Sequence, residues 1–174
     1  MQGRPLEEAK KCAAMLVDRM SEDDMLSVTT YDSRVDVIIP TTKVVDKSRL
    51  KDRINQINPG GTTALYDGWS IGAEQVAEFA DNHSISRVLL LSDGQANSGL
   101  TDEETITSHC GTMAENGVTT STYGLGPRFN ENLMSAMATA GQGQSHYGQT
   151  ADDLMDPFRE EFDLMEAILA RRMR

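Results

Sequence analysis

The chain is poor in the residues that mark several familiar classes of protein. Two cysteines occur in 174 residues, Cys12 and Cys110, in unrelated stretches without CxxC or metal-ligand spacing. That excludes a disulfide scaffold and a thiolate zinc site, and both read as small buried apolar residues. His83, His109 and His146 lie far apart, with no Ser-His-Asp arrangement or GxSxG elbow near them. They read as solvated or structural, not catalytic. Lys and Arg number 16 against 27 Asp and Glu, a net charge of −11 with a pI near 4.6. Phosphate backbones need clustered positive charge, so nucleic acid is excluded as a partner. No stretch reaches the roughly 18 apolar residues that span a bilayer, and Met1-Gln2-Gly3-Arg4-Pro5 lacks the charged and apolar parts of a signal peptide. The cytoplasm is the setting expected from this, with the compartment of a parent protein left open.

What is present is a regular alternation of patterns. Leu6, Ala9, Ala13, Leu16, Val17 and Met20 fall at helical period behind Pro5, with Glu7 and Glu8 in the first turn. Leu26, Val28 and Thr30 alternate, Asp32-Ser33 turns, and Val35, Val37 and Ile39 alternate towards Pro40, which predicts a hairpin. A short helix comes next over Leu50, Ile54 and Ile57, ended by Pro59-Gly60-Gly61. A longer helix is expected over 64–81, burying Leu65, Trp69, Gly72, Ala73, Val76 and Ala80. Val88 to Leu91 is an uninterrupted apolar run, the pattern of a strand covered on both faces. Thr101 and Glu104 have capping-box spacing for the next helix, which Gly117 closes before a strand at Val118 to Tyr123. A helix opening at Asn130, a short strand at Ser145 to Tyr147 and a terminal helix complete the series. Pro157 divides that last segment into a turn over Ala151–Met155 and a restart capped by Asp156, running over 157–173. Arg171, Arg172 and Arg174 crowd its end without a clear C-cap, so a parent protein is expected to continue. Strands alternating with helices predict one α/β domain over 1–174: doubly wound, with a mostly parallel sheet and helices on both faces. Such sheets bind ligands at the carboxyl ends of their strands.

Two loops stand at those ends. One is Pro59-Gly60-Gly61-Thr62-Thr63-Ala64 leading into a helix, and the other is Leu91-Ser92-Asp93-Gly94-Gln95-Ala96-Asn97. A Gly-Gly-Thr loop opening a helix, then a hydrophobic strand ending in Ser-Asp-Gly, resembles the second and third parts of the metal-ion-dependent adhesion site (MIDAS) of bacterial von Willebrand factor type A (VWA) domains. The likeness continues through Thr122-Tyr123-Gly124-Leu125-Gly126 and Phe129-Asn130-Glu131. It implies a Rossmann-like VWA fold and a protein-binding module that is not an enzyme. It also implies Mg2+ as the ion, held by Thr63 and Asp93, with Thr62 the competitor for Thr63. Gly60, Gly61, Gly94 and Gln95 would then form the loops that meet a partner protein, whose carboxylate fills the open coordination position. The residue types suit the ion: magnesium is hard, takes oxygen ligands and keeps several waters.

The chain departs from the family in one respect. The Asp-x-Ser-x-Ser motif after a first strand is absent, and Met1 to Lys10 corresponds to the opening of the helix that lies beyond that motif in the family. Asp32-Ser33 occupies a hairpin turn, a different place in the topology. The first strand would be central, so its absence predicts two unpaired edges and the loss of five or six buried residues, on the order of 10 kcal/mol. An upstream segment, a strand exchanged with a second copy, or direct pairing of the two edges would relieve this. Two other functional classes share the pattern: a hydrolase or phosphotransfer enzyme using Asp93, although Gln95 stands where an Asp-x-Asp site needs its second carboxylate, and a structural fragment that self-associates. Gly124-Leu125-Gly126 lacks the third glycine of a dinucleotide fingerprint and reads as a turn.

Overall fold

The computed structural model describes residues 1, 3–81, 84–94 and 98–172, with side chains described as far as residue 165. The order is α1 (Arg4–Arg19), β1 (Met25–Tyr31), β2 (Val35–Lys43), α2 (Lys47–Asn55), α3 (Leu65–Ala77), β3 (Ser86–Ser92), α4 (Glu103–Glu115), β4 (Val118–Leu125), α5 (Glu131–Ala140), β5 (Gln142–Gly148) and α6 (Ala151–Arg172). β3, β4 and β5 form a parallel sheet, with Ser86 opposite Val118 and Ser92 opposite Gly124 in its first pairing. β1 and β2 form a separate antiparallel hairpin. β2 continues past Pro40 to Lys43. Proline, which has no amide hydrogen, is tolerated there because β2 is an edge strand.

Helices cover both faces. Leu65, Trp69 and Ala73 of α3, Ile106 and Cys110 of α4, and Leu133 and Met137 of α5 pack with Val88, Leu90 and Val118. On the opposite face Cys12 of α1 and Leu154 and Phe158 of α6 pack with Tyr123 and Leu125, with Leu89 and Leu91 at the margin. A third cluster joins Val17 of α1, Leu50 and Ile54 of α2, and Leu26 and Ile39 of the hairpin. The alternation in β3 therefore sends Val88 and Leu90 to one layer and Leu89 and Leu91 to the other, as a strand covered on both faces requires. Cys12 and Cys110 are buried, unbridged and in different layers. Among the described residues no helix is long and apolar enough to cross a membrane.

The two sheets do not join. Among the described residues β1 pairs only with β2, and β3 only with β4. Direct pairing of the two edges, one of the arrangements open to the sequence, is absent among the described residues. A side chain makes the crossing from β1 to β3: the Tyr31 hydroxyl donates to the Leu91 carbonyl at 2.8 Å. The last residue of β1 thus meets the carboxyl end of β3.

Local details correct the sequence reading. α6 is continuous through Pro157 instead of restarting there. The proline removes one helical hydrogen bond, but Leu154 before it and Phe158 and Glu161 after it are all buried, so packing keeps the segment helical on both sides of it. The cap of α4 is Asp102, whose carboxylate accepts from Thr105 N at 2.9 Å, and not Thr101. α3 ends at Ala77, short of residue 81. The glycine its packing requires is Gly68, where an added Cβ would lie 2.4 Å from the Tyr31 ring, whereas Gly72 has nothing within 4 Å.

Candidate functional site

The carboxyl end of β3 positions the first element of the site. Ser92, the last strand residue, is buried, and its hydroxyl accepts from Gly94 N at 3.4 Å, which turns the chain sharply after Asp93. Asp93 is left with 17% side-chain exposure, its carboxylate at the rim of the sheet.

Thr63 comes from the loop before α3. Its hydroxyl oxygen is the atom closest to where a Gly94 side chain would project, at 3.7 Å, so Thr63 and the Asp93-Gly94 turn face one another. Thr62 next to it is exposed, while Thr63 is half-buried. The two loops that face one another thus carry a hydroxyl, on Thr63, and a carboxylate, on Asp93, both hard oxygen donors of the kind magnesium takes. Among the described residues no three His, Cys, Asp or Glu side chains converge as a metal cage. A cation at Asp93 would rest on few protein charges. Gln95, Ala96 and Asn97, read from the sequence as part of this loop, lie outside the described residues.

Three neighbours were not legible from spacing. Tyr31 is one: its hydroxyl reaches Leu91 O beside Ser92 and Asp93, and burial, opposed by a hydrogen bond with Ser92 and reinforced by a smaller push from the Asp93 charge, raises its pKa well above the usual phenol value. The second is the hairpin tip. Asp32 and Ser33 lie against the glycine loop, with Ala64 N donating to Asp32 O at 2.9 Å; a Cβ on Gly60 would fall 1.6 Å from Asp32 Oδ2, and one on Gly61 3.6 Å from Ser33 Oγ. Gly60 is thus a glycine because a carboxylate lies across it. The Asp32 carboxylate accepts from Arg34 N at 2.8 Å, and this bond, the largest cause, holds its pKa below the ordinary value. The topological reading placed this pair away from the site, whereas folding brings it to the wall. Asn130 is the third, capping α5 through Leu133 N at 3.1 Å while its own amide donates to Gly94 O at 3.3 Å.

The histidines are placed elsewhere. His109 Nδ1 is 2.8 Å from the Tyr66 hydroxyl, and His146 stacks on Tyr123 with ring centroids 5.1 Å apart. His83 lies outside the described residues.

The sequence matches the family model for the von Willebrand factor type A domain over residues 1–160. The uncharacterised protein sll0103 of Synechocystis sp. is 30% identical over 169 residues, 97% of this chain and 39% of that protein. The chain thus spans about two fifths of that relative, and 28% of the length of a second, YfbK of Escherichia coli, at 27% identity over 90% of this chain. Among solved structures, the conserved hypothetical protein BatB from Bacteroides thetaiotaomicron superposes with a TM-score of 0.77 at 17% identity, covering 93% of this chain and 88% of that one. Proximal thread matrix protein 1 from the mussel byssus, solved with a zinc-occupied MIDAS motif, gives 0.68 at 22% identity over 94% of this chain and 39% of that one. Likenesses at such identities establish the fold.

Proposed function

The chain belongs to the von Willebrand factor type A domain family, and from that premise we propose that it is a single binding domain that engages a partner protein through a divalent cation, Mg2+, at the carboxyl end of β3. VWA domains are generally interaction modules and not enzymes, and this one acts by binding and not by turnover. The observation that carries the reading is the packing of Thr63 Oγ1 against the Asp93-Gly94 turn, 3.7 Å from where a Gly94 Cβ would stand.

In this reading Thr63 and Asp93 hold the ion, and when bound it supplies an open coordination position for a partner's carboxylate. The remaining work belongs to the chain's own groups. Ser92 sets the turn that aims Asp93, Asn130 anchors Gly94, and Tyr31 fixes the end of β3. Gly60 lets the Asp32 carboxylate lie against the loop, and Gly61 beside it is exposed, so a partner loop meets the Asp32 side chain and the Gly61 backbone there. The mussel protein's metal is a property of that protein; for this chain it lends support to a divalent ion in general.

Isothermal titration of the 174-residue chain with magnesium chloride tests the proposal. Binding that falls at least about tenfold in Asp93→Ala, a loss of about 1.4 kcal/mol, is the expected result. Magnesium binding unchanged by both Asp93→Ala and Thr63→Val would sink it. Phosphatase turnover abolished by Asp93→Ala would replace it with an enzyme.

A further inference from the structure

At the carboxyl end of the parallel sheet, one row across the strands carries an exposed aromatic pair. Gly124 of β4 is paired with Ser92 of β3 on one side and with Tyr147 of β5 on the other. The Phe129 ring lies against Gly124, where an added Cβ would fall 2.5 Å from Phe129 Cε2, and it stacks on Tyr147 with ring centroids 5.3 Å apart and planes 26° from parallel. Gly124 is a glycine because this ring covers it. Asn130, next in the chain, ties the ring to the candidate cation site: it caps α5 and its backbone amide donates to Gly94 O at 3.3 Å. Tyr147 is held as well, its hydroxyl accepting from Gln149 Nε2 at 2.9 Å. Both rings are thus fixed in place, yet Tyr147 keeps 49% of its surface exposed and Phe129 is only half-buried. Tyr123, an aromatic of the same sheet that serves the core, is fully buried.

The row also sets the distance to Asp93, the residue after Ser92. Neighbouring strands lie about 4.8 Å apart, so Tyr147 stands roughly 10 Å from Ser92, a span that an extended chain covers in about three residues. An aliphatic side chain laid on so open a pair of rings would stay largely hydrated and gain little. A guanidinium instead stacks on an aromatic face while its N–H groups remain in water, and the ring quadrupole attracts it even at exposed sites. Charge favours the same occupant: the chain carries a net −11, and exposed Glu131 follows Asn130 at this edge. Arg128, before Phe129, is exposed and makes an interaction of its own. Resting on the cation reading above, we propose that Phe129 and Tyr147 form the specificity shelf of the binding site, receiving an arginine of the partner protein about three residues from the acidic residue that meets the cation.

Peptide titration followed by two-dimensional NMR tests this, with the full chain in saturating magnesium chloride. The probe is acetyl-Glu-Gly-Gly-Arg-amide, and its control carries citrulline, an uncharged isostere, in place of the arginine. The arginine peptide is expected to bind at least about threefold more tightly than the control and to shift the ring signals of Phe129 and Tyr147. Tyr147→Ala should cancel that difference, and Tyr147→Phe, which keeps the ring, should retain it. Equal binding of the two peptides, or binding by neither, overturns the proposal. So does a difference that survives Tyr147→Ala while the amide spectrum stays native, which would mean general attraction to an acidic surface. Binding of the arginine peptide that strengthens at least about threefold in Arg128→Ala also overturns it, making the chain's own guanidinium the occupant of the shelf. A third peptide, with glutamine in place of glutamate, separates the two readings. Its binding as tightly as the glutamate peptide counts against the cation, whereas loss of the difference between arginine and citrulline counts against the shelf alone.

Discussion

At the scale of single residues, the site is a set of close approaches that leave little room for substitution. Gly60→Ala is the sharpest case, because the new methyl would overlap the Asp32 carboxyl group and its Cβ as well. Overpacking of this kind costs about 1–3 kcal/mol, so urea unfolding should show that loss, and Gly60→Ala combined with Asp32→Gly should recover most of it. Gly143→Ala meets backbone instead, with Thr120 O 2.1 Å from the added carbon, and no partner substitution can relieve it. The candidate ligands Thr63 and Asp93 were legible in the sequence because a Gly-Gly-Thr loop and a Ser-Asp-Gly strand end are local patterns. Tyr31 and Asp32 were not: they reach the site from a hairpin whose position is fixed by tertiary packing, and nothing in their spacing encodes it.

At the scale of elements, α6 shows how a helix with an internal proline is kept whole. Glu8 of α1 is buried and accepts from Ala151 N at 2.7 Å, capping the start of α6 from another helix. Glu161 in its middle is buried and is met by Arg87 of β3 and by the hydroxyls of Ser121 and Tyr123 of β4. Arg19 to Asp163, at 2.9 Å, ties the helix again to α1. The Ala151 bond, the largest cause, together with Lys11, holds the Glu8 carboxyl below its usual range against the opposing effect of burial. A depressed carboxyl stabilises the fold above its unfolded pKa, about 4.3, and the contribution is lost as pH falls through the folded value. Glu8→Gln should therefore flatten the decline of melting temperature below about pH 5 while lowering stability at pH 7. Breaking the interior pair is a larger change: Arg87→Met leaves Glu161 buried with an uncompensated charge, at a cost of about 3–5 kcal/mol, whereas Arg87→Met with Glu161→Leu should restore much of it in a double-mutant cycle. Sequence reading divided this segment at Pro157 because proline is a sound local stop signal. It had no access to the buried side chains on either side that override it.

At the scale of the whole molecule, two half-sheets share their helices and, among the described residues, no backbone ladder. The alternation of strands and helices, the apolar run at Val88 to Leu91 and the turn glycines made the α/β class readable, because periodicity and burial on both faces leave a direct mark on composition. A two-stranded ribbon is marginal by itself, so the hairpin depends on α1 and α3 for its place. Native-state hydrogen exchange should show β1 and β2 opening at lower denaturant than β3 and β4, while Trp69, whose indole donates to Thr120 of β4 at 3.0 Å, keeps its native emission until the parallel half unfolds. Simultaneous loss of both signals would mean that the helices couple the halves completely.

The two unbridged thiols give this division a chemical clock. Cys12 lies in the layer under α1 and α6, and Cys110 in the layer under α3 and α4; burial pushes both pKa values up to about 12. Alkylating reagents react with the thiolate, so at neutral pH each sulfur is silent while its layer stays closed. The order in which the two become labelled, read by mass spectrometry of the unsubstituted chain, reports which face of the sheet sheds its helices first.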